Sequence, residues 1–235
     1  MNPEQANRIA TAFAREAARS PHAGLCTACV SVLSVTGVGI TVMGGGRTGP
    51  VCVSNPGVAA LEDLQFTLGV GPCQDAFRAE HPILAASFDD RATMRWPAFV
   101  SLAKASDIGA VFAYPLMAFG AKVGVLTLYQ QAHGDLTPGQ HQDSLAVAEV
   151  LTETVLSLQD EAPWGILAPS LDDAVTYRAE IYQASGMVAV QLQIPVSEAL
   201  VRLRARAFSS DTSLGALAAE VVARRIRFTE IEEGV

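Results

Sequence analysis

The chain has 235 residues, half of them hydrophobic and 17% charged, with a formal net charge of −8. That is ample material for one large domain or two modest ones, and it excludes a globally disordered chain. It also excludes a protein coated in basic surface, so any contact with nucleic acid must come from a local patch.

The first element expected is an amphipathic helix over Gln5–Arg19, with Ile9, Phe13 and Ala17 four residues apart. Its Arg and Glu residues and lack of an apolar run argue against a signal peptide. Ser20 to Gly46 contains no Asp, Glu, Lys or Arg and is longer than the roughly 20 residues that span a bilayer. It nevertheless carries six glycines with interspersed Ser and Thr, which fits a short helix through Leu25, Cys29 and Leu33, a turn, and a strand over Val38–Met43. The expectation is a cytoplasmic protein with no membrane segment. Cys26-x-x-Cys29 lacks the second half of a zinc site, and Cys52 and Cys73 stand apart. All four are therefore read as reduced, buried thiols, with no metal and no cofactor.

A strand over Val51–Ser54 follows the Gly44-Gly45-Gly46 turn. After Pro56 come a helix, a Gly69-x-Gly71 turn and a helix opened by Pro72 and ended by His81-Pro82. Ile83–Ala86 reads as a short strand, Asp89-Asp90 as a solvated turn and Trp96–Ala105 as a helix. Ala110–Met117 and Lys122–Tyr129 flank Phe119-Gly120, a hairpin signature. Thr137-Pro138 opens a helix to about Gln159 with Leu145, Ala148, Leu151, Val155 and Leu158 on one stripe. That stripe is wide enough to serve both the domain and a second copy, so a homodimer is expected. Helices enclosing an antiparallel sheet define an α+β domain over 1–160.

The blocks EDLQFTLGVGPCQDAF, RWPAF and VFAYPLMAFGAKVGVLTLY, in that order, resemble GAF sensory domains over residues 5–158. The resemblance implies a GAF-like sheet and an unknown small-molecule ligand. Val70 stands where family members commonly carry an acid, and the sequence shows no NKFDE-like signature of cyclic-nucleotide binding.

Pro163 and Pro169 mark a linker at 161–170. Ser170-Leu171-Asp172-Asp173 starts a helix to about Gln193, Pro195 breaks it, Ser197 caps a second helix to Phe208, and Leu214 to about Arg227 forms a third. A three-helix domain over 171–228 and a tail at 229–235 complete the chain. Residues 197–228 hold six arginines against Glu198, Asp211 and Glu220, a local charge of 6 − 3 = +3 in an acidic protein. No lysine follows Lys122, so every cation here can make a forked phosphate contact or stack on a base.

The pattern A-x-G-M at Ala184–Met187, then A-x3-LR-x2-A at Ala199–Ala207, then L-x2-LA-x2-VV from Leu214 resembles ANTAR modules. The resemblance implies a small all-α bundle that binds RNA hairpins in leader transcripts and thereby acts in antitermination. The candidate RNA-binding residues are Ala184, Ser185, Gly186, Arg202, Arg204 and Arg206, the first three as a low-relief helix face. Ser185 occupies a position where many members are basic. Two other readings stand beside this one: a helical module that binds DNA or a protein partner, and a GAF-type methionine sulfoxide reductase using Cys73, which follows Gly71-Pro72 at a helix N-terminus. His22, His81, His133 and His141 fall in no HExxH or nucleophile-elbow context, and the glycine pairs lack a phosphate-loop signature, so no catalytic residue is assigned.

Overall fold

The computed structural model describes residues 7, 9, 11, 12, 23–44, 47–160, 175–210 and 212–229. The chain divides into two compact units, Met1–Asp173 and Ala174–Val235. The expected linker at 161–170, the helix start at Ser170–Asp173, Phe13 and the tail from residue 230 lie outside the described residues.

In the first unit, Asn7, Ile9, Thr11 and Ala12 are helical, and Ile9 is fully buried. The elements that follow are α1 (Ala23–Leu33), β1 (Gly37–Gly44), β2 (Arg47–Val53), α2 (Pro56–Leu68), α3 (Pro72–Ala79), β3 (Ile83–Ala85), α4 (Asp90–Arg95), α5 (Pro97–Ala105), β4 (Ala110–Ala118), β5 (Ala121–Gln130) and α6 (Pro138–Asp160). The strands form one antiparallel sheet in the order β2-β1-β5-β4-β3. Phe119 and Gly120, at φ 49° and 79°, close the β4–β5 hairpin with two consecutive left-handed residues, as a tight two-residue hairpin turn requires.

Side chains alternate across the sheet with the period of two that a strand imposes. Phe112, Tyr114, Leu116, Leu126 and Leu128 pack with α1 and α6, whereas Val111, Ala113, Val125 and Tyr129 pack with α2, α3 and α5. The unit is therefore helix, sheet, helix, with one apolar core on each face. On α6, Ala148, Leu151 and Val155 of the expected stripe are buried, but Leu145 is 46% exposed. The buried face instead runs through Ser144, Val147, Ala148, Leu151 and Val155, the true helical spacing.

Two local readings are corrected. Asp89 does not merely sit in a solvated turn: its carboxylate accepts the Ala92 N–H at 2.8 Å and caps the short helix α4. Cys26 and Cys52 are not free thiols but a disulfide, because α1 packs against β2 and brings their Cα atoms to 5.9 Å despite a separation of 26 residues. Cys29 and Cys73 are free and buried, with the Cys29 thiol pushed far above its ordinary pKa by burial.

The second unit holds three helices, α7 (Val175–Leu192), α8 (Val196–Ser209) and α9 (Leu214–Val222). Gln193 in the left-handed region and then Pro195 end α7. Pro195, not Ser197, occupies the cap of α8, and its carbonyl accepts from the Glu198 and Ala199 amides at 3.0 Å. Ser213 caps α9 by accepting the Ala216 N–H at 3.2 Å. That helix ends at Val222 rather than near Arg227, and Arg224 beyond it is left-handed at φ 60°. Ile181, Ala184, Val188, Ala199, Leu203, Ala207, Leu217, Ala218 and Val221 are all buried in this unit. Among the described residues no single helix is long and apolar enough to cross a membrane.

Candidate functional site

The arginines of the second unit face several ways. Ala199, Leu203 and Ala207 bury one stripe of α8, so residues about half a turn away point outward. Arg202 is exposed and lies 3.6 Å from Glu198 one turn earlier. Arg206 leans inward, its guanidinium 4.9 Å from the ring centre of Phe228. Arg204 is half-buried, with its Nε buried, and flanks the outward side formed by exposed Val201, Ala205 and Phe208. Arg225 is committed to Glu220 through two contacts of 2.7 Å, and that guanidinium holds the Glu220 carboxyl below its ordinary pKa. Arg224 and Arg227 are exposed beyond α9. The six arginines therefore form no single continuous face.

The small-residue step separates in the same way. Ala184 and Ser185 are completely buried, and the Ser185 hydroxyl donates to the Ile181 carbonyl at 2.7 Å. They let the helices approach one another and offer no surface to a ligand, which corrects the reading of all three as one exposed face. Gly186 alone is partly exposed, and a Cβ built on it meets nothing within 4 Å. The sequence also gave no role to Phe208, which is 84% exposed at the last turn of α8. The signal was present in its spacing, seven residues after Val201 and four after Arg204.

A second cluster lies beneath the sheet of the first unit, and sequence reasoning missed it. Glu62 and Gln65, three apart on α2, are both buried. Tyr129 Oη donates to Glu62 Oε1 at 2.7 Å and Thr41 Oγ1 donates to Glu62 Oε2 at 3.0 Å. Gln65 Nε2 donates to Tyr129 Oη at 3.1 Å, while its Oε1 accepts the Cys73 N–H at 2.8 Å. Burial, reinforced by the Glu62 carboxylate, raises the Tyr129 pKa well above its ordinary value. Thr127 Oγ1, on the same strand face, is buried and meets no hydrogen-bond partner among the described residues. Two glycines make room for this network. A Cβ on Gly39 would lie 2.7 Å from Glu62 Oε1, and one on Gly71, at φ 147°, would lie 2.5 Å from Gln65 Cγ. The legible trace was a pair of polar residues three apart on an otherwise apolar helix face, opposite a strand with Thr and Tyr at alternate positions.

Cys73, the residue of the reductase reading, is 1% exposed. Among the described residues no group of three or more His, Cys, Asp or Glu side chains could hold a metal ion.

Solved structures similar to this chain include the GAF domain of a phosphoenolpyruvate-protein phosphotransferase from Coxiella burnetii, at 12% identity and TM-score 0.49, covering 68% of this chain and 98% of that one. The GAF domain of the phosphoenolpyruvate-protein phosphotransferase from Acinetobacter gives the same identity, TM-score and coverage (12%, 0.49, 68% and 98%). Free methionine-R-sulfoxide reductase from Neisseria meningitidis, solved with its substrate, is similar at 14% identity and TM-score 0.44, covering 64% of this chain and 83% of that one. Likenesses this distant decide nothing about what the chain binds. No family model and no curated protein matches the chain.

Proposed function

We propose that this chain is a signal-responsive, RNA-binding antitermination regulator of the cytoplasm, with a GAF-like sensor unit and an ANTAR-like helical unit that holds hairpins in leader transcripts. The feature that supports this reading is α8, where Leu203 and Ala207 of the ANTAR-like motif fill the core and half-buried Arg204 of the same motif flanks the exposed side. An arginine guanidinium can bond phosphate oxygens or base edges bidentately. Hairpin loops suit such a site because their unstacked bases offer edges and faces that a duplex conceals. The order of the sheet and its flanking helices supports the sensor assignment. The buried Glu62–Gln65–Tyr129–Thr41 cluster, with the unsatisfied Thr127 hydroxyl beside it, is the place where a small polar ligand would register.

The protein acts as a homodimer in this reading, with exposed Leu145 of α6 at the junction; a monomeric mass by light scattering at micromolar concentration would remove that element. Binding of the intact chain to paired RNA hairpins and to sequence-matched duplex DNA, followed by fluorescence anisotropy, tests the main assignment. Hairpin binding that exceeds duplex binding is expected. Tight duplex binding with indifference to hairpins would favour a DNA-binding module, and binding to neither would leave α8 as a protein-docking surface.

A further inference from the structure

The Cys26–Cys52 disulfide joins α1 to β2, an edge strand that pairs with β1 on one side only. The β1–β2 ladder is interrupted beside this bond. Ile40 pairs with Cys52 and Thr41 with Pro50, so Val51 is an extra residue, and Val51 and Cys52 both pack into the core shared with α1, as a bulge allows. Pro50 has no N–H to donate to the ladder. Opposite it, the Thr41 hydroxyl donates to Glu62 Oε2 at 3.0 Å. A covalent link, a bulge and one arm of the buried Glu62 cluster therefore meet at neighbouring positions of β1 and β2. The first unit spans Met1–Asp173 and has an apolar core on each face of its sheet, so it does not depend on a cross-link as domains below roughly 40 residues do. As thiols, Cys26 and Cys52 would remain small apolar fillers among Leu25, Ala28, Ile40 and Val51.

We infer that the Cys26–Cys52 bond is a reversible latch: thiol exchange opens it, frees β2 from α1 and loosens the Thr41 arm of the Glu62 cluster. This rests on the reading of the first unit as a cytoplasmic sensor, since persistent disulfides are rare in that compartment and those that form there are usually transient or redox-sensing. The co-reactant is a dithiol, or two molecules of a small thiol such as glutathione. Its thiolate attacks the Cys52 sulfur, because Cys52 lies on the edge strand and is 9% exposed whereas Cys26 is 0% exposed. A mixed disulfide forms at Cys52, and Cys26 leaves as a thiolate and takes up a proton. A second thiolate then attacks the reductant's sulfur in the mixed disulfide and releases Cys52, which is protonated in turn. Two electrons pass to the protein, and the reductant ends as its own disulfide. Cys29, one turn after Cys26, does not compete: burial holds its thiol protonated, and only the thiolate is a nucleophile.

The test uses the full chain in buffers of graded reduced and oxidised glutathione, with no RNA and no added ligand. Alkylation and peptide mass spectrometry read each cysteine, and NMR reads amide exchange and side-chain shifts. Cys26 and Cys52 should become alkylatable together in the folded protein, Cys29 and Cys73 should stay unlabelled, and oxidised glutathione should restore the bond. Intermediate ratios should trap glutathione on Cys52 rather than Cys26. Reduction should lower the melting temperature of the first unit by roughly 7–14 °C, the effect of releasing a cross-link that spans 26 residues. The amides of β2 should lose exchange protection and the Thr41 methyl resonance should shift, while β3 and β4 stay protected. Cys52→Ala should show the reduced-state pattern in every buffer, and Cys29→Ala should leave the midpoint of the glutathione titration unchanged. A bond that resists glutathione until the unit unfolds would be a structural staple and would overturn the inference. So would free thiols at both positions in fully oxidised buffer, or opening with no change at β2 or Thr41. A chain that binds no hairpin yet opens and closes this bond keeps the latch, whereas one that binds hairpins with an unreactive bond loses the latch alone.

Discussion

Replacing Gly186 by alanine should stabilise the second unit and weaken RNA binding at the same time. Glycine inside a helix costs roughly 1 kcal/mol relative to alanine, because it gives up more backbone freedom on folding. Gly186 lies well within α7 (Val175–Leu192), away from either end. A clash could offset the gain, but an added Cβ meets nothing within 4 Å. The stability of the unit should therefore rise by about 1 kcal/mol, which for a unit of this size raises the melting temperature by roughly 4–8 °C. Calorimetry of the intact protein reads this as an upward shift of the transition belonging to the second unit. If RNA passes close to α7 at this position, the same methyl group should reduce hairpin affinity, and Gly186→Leu should reduce it further. Opposite signs for folding and binding cannot come from misfolding. A lower melting temperature in Gly186→Ala would show that the open space beside α7 is filled in solution and would refute the reasoning. A higher one with unchanged affinity would make Gly186 ordinary surface.

Arg204→Ala should cost about 1–3 kcal/mol of hairpin affinity with wild-type helicity, whereas Arg225→Ala should cost less because that guanidinium is already engaged by Glu220; equal losses in anisotropy titrations would contradict the assignment. Tyr129→Phe removes the hydroxyl that donates to Glu62 and accepts from Gln65, leaving two buried polar atoms short of a partner. It should destabilise the first unit by about 2–4 kcal/mol in urea titrations, and an unchanged midpoint would mean that water replaces the hydroxyl. Tyr114 is fully buried, and burial pushes its pKa from 10.0 up to about 12. The unfolded chain releases that proton first, so this contribution is fully present below pH 10 and is lost as pH rises toward 12; Tyr114→Phe should flatten this alkaline loss, and an identical pH profile would contradict it.

The elements were legible where one physical signal dominated. Pro56 and Pro72 fix the starts of α2 and α3, and Phe119-Gly120 fixes the hairpin, because each constrains the backbone locally. Contacts between distant segments were not legible. The Cys26–Cys52 bond depends on α1 lying over β2, a contact between distant segments, so all four cysteines read as reduced thiols from spacing alone. Glu62 and Tyr129 meet across 67 residues, a distance over which helical and strand periodicity carry no information. At the candidate RNA site, residue type was informative but orientation was not. Ala184 and Ser185 are small because helices close over them, and Arg206 is turned by the ring of Phe228 from outside its own helix. Ser197 looked like a cap by composition, yet Pro195 had already set the start of α8 two residues earlier.

The most direct test of the RNA-binding account is a titration of the isotopically labelled chain with a hairpin RNA, followed residue by residue by NMR. The account predicts saturable shifts at Val201, Arg204, Ala205 and Phe208, with the amides of β4 and β5 unmoved. Hairpin binding that leaves these α8 residues unperturbed, or no hairpin binding at all, would contradict it.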